Sequence, residues 1–378
     1  MGWCKVLDTS KLQMQEPPPD AAQIHEMIRR LSRKHILSNS PQTYVDDFVV
    51  AALEVYDPAT LQKNLQHKFF IPDESNYKED TYYQSASELS VSYYIKQKEK
   101  QKLVTNFKCD KRLNLPSRKD VDNYFQVRST RVSLEVKCPL EDKQAPFPGN
   151  ITLRTVGRAP DLTGIERMKE IFEARTLGTN FPIGKNPDLR MKDCLELANE
   201  KFNSKSGVDD LNLLFLSCGQ FHNMSEWYIC LYGPGGLFTS QSFAPEARCP
   251  KVDLVVLSNL KYRHEQARAH SAWTLDDVLL LPIVNPHGRS NRTSDAIEEG
   301  LSVFHHFQKE FALFHGRELV WDKQSESLVE FEKQIKVSCF VMEHLTPAEF
   351  ARFFPTIDRS KFEKSPTLMP KSLSRIPH

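Results

Sequence analysis

One run of residues, Val132-Ser133-Leu134-Glu135-Val136-Lys137-Cys138-Pro139, does most to set the architecture of this chain. Apolar and polar side chains alternate along it, and a β-strand sends successive side chains to opposite faces of its sheet. The aliphatic residues are therefore predicted to face the core, while Glu135 and Lys137 share the other face. Pro139 then ends the strand, because proline has no amide hydrogen for a ladder bond.

A second strand precedes this one and brings a further carboxylate to it. If residues 127–130 form the turn, Phe125 lies opposite Val132 on the apolar face and Asp122 lies opposite Glu135. One register then satisfies both faces. The sequence therefore predicts a β-hairpin with two carboxylates on its polar side.

The wider hydrophobic pattern predicts an α/β protein with a mixed central sheet flanked by helices. Short strands predict an antiparallel unit, and two continuous apolar runs are typical of strands buried on both faces. The predicted strands are Leu103–Cys109, Asn123–Val127, Arg131–Lys137, Leu211–Ser217 and Val252–Leu257, followed by an apolar piece at Val278–Val284. The predicted helices are Ala22–His35, Thr43–Tyr56, Tyr82–Ile95, Gly164–Ala174, Leu189–Phe202 and Thr293–Phe314. The run Gly233-Pro234-Gly235-Gly236 is interpreted as a turn between strands.

Composition excludes several classes of protein. Among 378 residues, 50 basic and 49 acidic side chains give a net charge of +1, so any surface for nucleic acid must be local. The eight cysteines form no CxxC pair and are interpreted as reduced thiols. No apolar run approaches the roughly 20 residues that cross a bilayer, which predicts an intracellular protein of the cytoplasm, or of the nucleus in a eukaryote, with no membrane partner.

Two carboxylates with a lysine two residues further on suit the hydrolysis of a phosphodiester bond. Carboxylate oxygens are ligands for Mg²⁺, which polarises phosphoryl oxygens and lowers the pKa of bound water. Lys137 would orient the attacking water or stabilise the developing negative charge.

This arrangement resembles the PD-(D/E)XK nuclease superfamily, whose members have the restriction-endonuclease-like fold. The family signature is an acid, a variable spacer, then an acidic residue, any residue and lysine; Asp122, Glu135 and Lys137 match it. The resemblance implies that Asp122 and Glu135 ligate Mg²⁺ or Mn²⁺, that the carbonyl of Val136 adds a ligand, and that Lys137 positions water. The likeness covers about residues 82–259.

The same resemblance implies two supporting residues. Glu88, on a helix before the sheet, matches by order a glutamate that supports the metal in the family. Lys201, on the helix after the signature strand, matches a lysine or glutamine that faces the site. Val121 stands where the family has a proline, and Asp120 is an alternative ligand to Asp122.

Other interpretations stand beside a DNA nuclease. Glu135 and Lys137 could form an ordinary ion pair on the exposed face of an edge strand, and the same fold could serve a catalytically silent nucleic-acid-binding or scaffold protein. A second triplet, Glu141-Asp142-Lys143, lies beyond Pro139 with no strand to hold it. A nucleophilic hydrolase is disfavoured because the chain has no GxSxG elbow.

Three further polar segments are candidates of lower rank. The basic runs Lys261-Tyr262-Arg263-His264 and His287–Arg292 could contact phosphate, although solvated loops explain them better. His305 and His306 fit packed histidines better than metal ligands.

The predicted organisation is a mobile leader (1–20), an N-terminal helical element (21–75), a nuclease-like α/β domain (76–320), and a C-terminal extension and tail (321–378). The predicted partner is nucleic acid, with DNA favoured over RNA. A homodimer or a protein partner that delivers the nucleic acid is compatible with the near-zero charge.

Overall fold

A computed structural model of the chain describes residues 18–70, 77–113, 120–139, 170, 187–202, 207, 209–219, 221–232, 235–239, 242–266, 272–275, 278, 280–288 and 293–304. The predictions for the leader before residue 18, for the helix at 164–174 apart from Glu170, for the triplet at 141–143 and for residues 305–378 lie outside these ranges. Within them, no helix is both long enough and apolar enough to cross a membrane.

A six-stranded mixed sheet forms the centre of the fold, with the strands in chain order across it. The first three strands pair antiparallel, the third to fifth pair parallel, and the sixth returns antiparallel to the fifth. The strands are β1 (Thr105–Arg112), β2 (Asp120–Val127), β3 (Thr130–Lys137), β4 (Asp210–Ser217), β5 (Leu254–Ser258) and β6 (Leu280–Val284). The predicted α/β class with a mixed sheet flanked by helices is confirmed.

Helices cover both faces of this sheet. The helices of the described residues include α1 (Ala21–Arg29), α2 (Ile36–Asn39), α3 (Gln42–Val55), α4 (Pro58–Asn64), α5 (Glu79–Lys100), α6 (Pro187–Lys201), α7 (Phe221–Tyr232), α8 (Leu260–Glu265) and α9 (Ser294–Leu301). A π-helical segment, Leu65–Phe69, continues directly from α4.

Strand alternation sorts the apolar side chains into two cores, one on each face of the sheet. Leu213 and Phe215 of β4 join the core beneath α5 and α9, whereas Leu214 and Leu216 join the core beneath α6 and α7. Both sets are fully buried, as expected for a strand covered on both faces. A third core joins α1 to α4 with the first half of α5 and includes Trp273.

The predicted β-hairpin is confirmed in its register. Val127 pairs with Thr130 across a two-residue turn, and Phe125 pairs with Val132. Arg128 in the turn has a φ of 49°, in the left-handed region that tight hairpin turns require. The turn chemistry and the apolar pairing therefore select the same register.

The first predicted helix, Ala22–His35, is wrong in its extent. Helix α1 ends at Arg29, and α2 begins at Ile36. His35 has extended backbone angles as the N-cap of α2, and its Nδ1 accepts a hydrogen bond from the amide of Leu37 at 3.1 Å. A residue in this conformation cannot continue the preceding helix.

Two further assignments needed correction. Helix α7 occupies the segment interpreted as a connection between β4 and β5, so Gly235 and Gly236 follow a helix rather than a strand. The long helix predicted from Thr293 ends at Leu301, where the chain turns. The remainder of that predicted helix, to Phe314, lies beyond the described residues.

Candidate active site

The hairpin brings Asp122 and Glu135 to the same side of the sheet. Glu135 alternates with Leu134 and Val136, which face the core beneath α5, so its side chain points to the opposite face, towards α6. The β2–β3 register, continued by one residue, sets Asp122 opposite Glu135. Asp122 also bonds directly to β3, because its Oδ2 accepts from the amide of Val136 at 2.7 Å.

Glu135 is the most deeply buried charged group of the site. Its side chain has no exposed surface, and its Oε1 lies 2.5 Å from the Nζ atoms of both Lys137 and Lys201. Strand β3 is flanked by β2 and β4, so the alternative of an exposed pair on an edge strand is wrong. Two ammonium groups therefore share one oxygen of a carboxylate in the middle of the sheet.

The other oxygen of Glu135 is differently placed. Oε2 is buried and has no hydrogen-bond partner among the described residues. A buried carboxylate oxygen without a donor costs free energy, because burial has removed its water. This oxygen therefore has unused capacity to accept a proton donor or a cation.

Asp122 is held in an electrostatically unfavourable position. Burial raises its pKa well above the usual range, and the carboxylates of Glu135 and Glu88 raise it further, against the opposing effect of Lys201 and Lys137. The Nζ of Lys201 lies 3.8 Å from Asp122 Oδ1. We call Asp122, Glu135, Lys137 and Lys201 the charged cluster.

The pKa of Lys137 is shifted in the direction expected for a cation among carboxylates. Burial alone would lower its pKa, but the charges of Glu135 and Asp122 and a hydrogen bond to Glu135 raise it above its ordinary value. Lys137 therefore carries its proton at neutral pH. It can act as a positive charge or a hydrogen-bond donor, and it is unsuited to act as a general base.

Glu88 approaches the cluster from the other face, through a residue that sequence reasoning missed. The Nε2 of Gln84 donates to Glu88 Oε1 at 2.7 Å and to the Val136 carbonyl at 2.9 Å. The Oε1 of Gln84 accepts from the Cys138 amide at 2.6 Å. The side-chain amide of Gln84 therefore links α5 to the C-terminal end of β3. Its signal in the sequence was its position one helical turn before Glu88.

Lys68 is a second residue that the sequence did not reveal. It comes from the π-helical segment, and its Nζ lies 3.3 Å from Glu88 Oε2 and 3.6 Å from Asp110 Oδ1. Burial disfavours its charge, but Tyr56, Glu88 and Asp110 together raise its pKa. No local pattern could have found it, because Lys68 and Glu88 are 20 residues apart on separate helical elements.

The structure brings most of the predicted site residues together, but not all of them. Lys137 and Lys201 both contact Glu135, Lys201 also lies 3.8 Å from Asp122, and Glu88 is joined to this cluster through Gln84 and through its charge. The alternative ligand, Asp120, is paired in register with Arg112 of β1.

The fit of a divalent cation can be judged from these groups. Within the described ranges, no three side chains of His, Cys, Asp or Glu are arranged as a metal-binding group. Two carboxylates whose like charges repel each other, with one oxygen of Glu135 lacking a donor, nevertheless form a donor set that suits a hard cation. Glu88 is less suited to direct ligation, since Gln84 and Lys68 engage both of its oxygens.

A second polar cluster lies outside this site. The basic run at 261–264 forms most of α8 and is buried, so its interpretation as a solvated loop is wrong. His264 is fully buried; its Nδ1 lies 2.8 Å from Tyr44 Oη and its Nε2 lies 3.0 Å from Ser90 Oγ. The Tyr44 hydroxyl also lies 3.1 Å from that of Tyr82. We call Tyr44, Tyr82, Ser90 and His264 the neutral cluster.

The run is buried because neighbouring carboxylates neutralise it. The Nζ of Lys261 lies 3.4 Å from Asp80 and 3.9 Å from Glu265, so this ammonium is not displayed to a phosphate. Of the other basic run, only His287 and Gly288 are among the described residues, and burial lowers the pKa of His287.

The fold and the charged cluster define an α/β protein with a buried carboxylate and lysine site on a mixed sheet. Comparison of the chain with protein-family models, with curated proteins and with solved structures found no match.

Proposed function

We propose that this protein is a metal-dependent nuclease that hydrolyses phosphodiester bonds in DNA, on a restriction-endonuclease-like version of the mixed α/β sheet. The observation that carries the proposal is the charged cluster on one face of that sheet, in which both lysines contact Glu135 and Lys201 also contacts Asp122. Two carboxylates and two lysines gathered in one buried cluster suit a reaction that handles negative phosphate oxygens.

Asp122 and Glu135 are the residues that would hold Mg²⁺ or Mn²⁺, with the second lone pair of the Val136 carbonyl as a further ligand. The bound cation would polarise a phosphoryl oxygen and lower the pKa of a water molecule. Both carboxylates are held before any ligand arrives, Asp122 by the Val136 amide and Glu135 by the packing of β3 between β2 and β4. Glu88 would support the site through Gln84.

The lysines supply the positive charge of the site. Lys137 is protonated at neutral pH, so it would donate to the attacking water or to a phosphate oxygen and stabilise the charge that develops there. Lys201 reaches both carboxylates and would keep them aligned for ligation. This assigns to Lys137 the role of a cationic donor.

The proposal is tested by nicking and linearisation of supercoiled plasmid DNA in Mg²⁺ and, separately, in Mn²⁺. Wild type should cleave, and Glu135→Ala and Lys137→Ala should not, after circular dichroism confirms that all three are folded. Parallel reactions on RNA decide between the two substrates. Inactivity of the wild type on both, together with no metal binding, would overturn the proposal.

One observation favours a second candidate, a catalytically silent nucleic-acid-binding or scaffold protein. Lys137 and Lys201 already neutralise Glu135, as two lysines would in a purely structural ion cluster. Such a protein would bind nucleic acid equally well with and without Mg²⁺, and Lys137→Ala would leave that binding intact. A homodimer or a delivering protein partner remains compatible with either function.

A further inference from the structure

A cavity of about 510 Å³ lies away from the charged cluster, between the end of α1, the start of α2 and the π-helical segment. Its size falls within the range of about 300–1,000 Å³ that is typical of small-ligand sites. Its lining combines basic side chains from the α1–α2 region and the π-helical segment with apolar and aromatic side chains.

Basic residues are found at the rim of this cavity. Arg30, Lys34 and His67 are exposed at its rim, and none of the described lining residues is acidic. The nearby Glu26 accepts from Nε of Arg30 at 3.0 Å, a bond that does not use the terminal amino groups of the guanidinium. Those two amino groups can bind a pair of phosphate oxygens.

The inner wall of the cavity is apolar and aromatic. Met27 and Leu31 come from the α1 side, and Phe70 and Tyr77 contribute rings. Tyr77 is held in place, because its ring lies 4.6 Å from that of His35 and its hydroxyl accepts from the amide of Ile36 at 3.2 Å. Such a wall suits a flat aromatic group better than a second anion.

His35 belongs to the structure of this wall rather than to its charge. Its Nδ1 accepts from the Leu37 amide, so its Nε2 carries the hydrogen that is donated to the Phe69 carbonyl at 2.8 Å. Burial also lowers the pKa of His35. The ring is therefore a fixed neutral support.

The cavity is connected to the charged cluster by one short element. Gln66 and His67 of the π-helical segment line the cavity, while the next residue, Lys68, contacts Glu88. A π-helical turn inserted in a helix often occurs at functional sites. A ligand that displaces Gln66 or His67 would therefore act on the residue that holds Glu88.

We propose that this cavity binds a nucleotide, with the base against the wall formed by Phe70 and Tyr77 and the phosphate at Arg30, Lys34 and His67. The nucleotide comes either from solution or from a nucleic-acid strand. The strand form rests on the proposed nuclease function, whereas the free-nucleotide form does not.

The test measures binding by calorimetry in metal-free buffer, where no cleavage occurs. The probes are the four deoxynucleoside 5′-monophosphates, the matching nucleosides, inorganic phosphate and a short single-stranded oligodeoxynucleotide. At least one monophosphate should bind more tightly than both its nucleoside and inorganic phosphate, because only the nucleotide engages the rim and the wall together.

The variants are Arg30→Gln and a matched control, Arg29→Gln. Both arginines are largely exposed on α1 and pair with Glu26, but only Arg30 lines the cavity, so both variants should fold. Arg30→Gln should weaken nucleotide binding about tenfold or more, as expected for a lost charge-assisted hydrogen bond, and Arg29→Gln should leave it unchanged. If only the oligonucleotide binds, with the same dependence on Arg30, the nucleotide belongs to a strand.

Three results would overturn the inference: no probe binds, inorganic phosphate binds as tightly as every nucleotide, or both variants weaken binding equally. Glu135→Gln separates this inference from the nuclease proposal, because it should abolish cleavage and leave binding in the cavity intact. If the protein binds a nucleotide through Arg30 but never cleaves nucleic acid, the cavity inference stands and the nuclease proposal fails.

Discussion

The charged cluster and the neutral cluster are both buried and polar, but they satisfy their polar groups in different ways. In the neutral cluster, both ring nitrogens of His264 have hydroxyl partners, and no group needs a charge. In the charged cluster, Glu135 Oε2 has no donor among the described residues, and burial and neighbouring carboxylates raise the pKa of Asp122.

This difference separates stabilisation from function. A fully paired neutral network rigidifies the protein, here by joining α3, α5 and α8. A buried cluster with a carboxylate oxygen that lacks a donor, and with a second carboxylate whose ionisation is disfavoured, weakens the fold until a cation or substrate relieves it, as is common at functional sites. The predictions below break one cluster at a time.

The largest effect is expected from Glu135→Gln, which removes the central carboxylate of the charged cluster. DNA cleavage should fall by at least about a hundredfold, because changes even in the outer shell of a metal site cost about 10–100-fold. Initial rates of plasmid nicking measure this. The control is Glu196→Gln on α6, a partly exposed glutamate paired with Lys192, which should keep the wild-type rate. Equal loss in both variants would contradict the assignment.

The neutral cluster is broken by His264→Leu, which leaves the hydroxyls of Tyr44 and Ser90 short of a buried partner. The free energy of unfolding should fall by about 1–3 kcal/mol, the cost of a stranded buried polar group. Denaturant titration measures it. The control is His25→Leu, at a ring near the surface and 3.4 Å from Asp46, with an expected change within about 0.5 kcal/mol. Per folded molecule, cleavage should be unchanged.

The neutral cluster should also make stability depend on pH. Burial lowers the pKa of His264 from 6.5 to about 3. The native ring is neutral where the unfolded ring is charged, so its contribution is complete above pH 6.5 and is lost as the pH falls towards 3. The slope for one proton is about 1.4 kcal/mol per pH unit. Denaturation at a series of pH values should show a shallower slope for His264→Leu than for wild type, and identical slopes would argue against a neutral buried ring.

Asp122→Asn in the charged cluster should raise the stability of the protein at neutral pH, whereas His264→Leu lowers it. The pKa of Asp122 is raised in the folded protein, so stability is lost as the pH rises above 3.8, where the unfolded carboxyl ionises. Asparagine cannot ionise and can still accept from the Val136 amide. The variant should therefore unfold at a higher denaturant concentration than wild type at pH 7, while its cleavage is lost. A lower midpoint would mean that attraction to Lys201 and Lys137 prevails.

The smallest effect is expected from Gln84→Ala, which acts on the charged cluster through the backbone of β3. Loss of its bonds to Glu88, Val136 and Cys138 should lower kcat about tenfold, by analogy with outer-shell residues of metal sites, and leave KM unchanged. Steady-state kinetics on a labelled duplex separate the two constants. Gln97→Ala, on the same helix and bonded to Glu54, is the control and should change neither.

The sequence was sufficient for the features that depend on local alternation. The hairpin register followed from pairing Phe125 with Val132. Lys201 was named only through the resemblance to a family, and its contact with Glu135 is a tertiary feature that the structure adds. The resemblance itself, the metal and the reaction stay predictions.

Other features depend on tertiary contacts that no local pattern encodes. The sequence around Lys261 indicated an exposed basic residue, but Asp80, which is distant in sequence, lies beside it in the fold. Lys68 and Gln84 act on Glu88 and β3 through packing between separate elements. The separate start of α2 depends on the side chain of His35, whose capping role is not evident from residue type.

The central claim is that the charged cluster is a site for a divalent cation, and calorimetric titration with Mn²⁺ tests it most directly. Wild type should show saturable binding that Asp122→Asn and Glu135→Gln both lose while remaining folded. No binding to wild type, or equal binding to all three proteins, would contradict the claim and leave the cluster as a structural ion network.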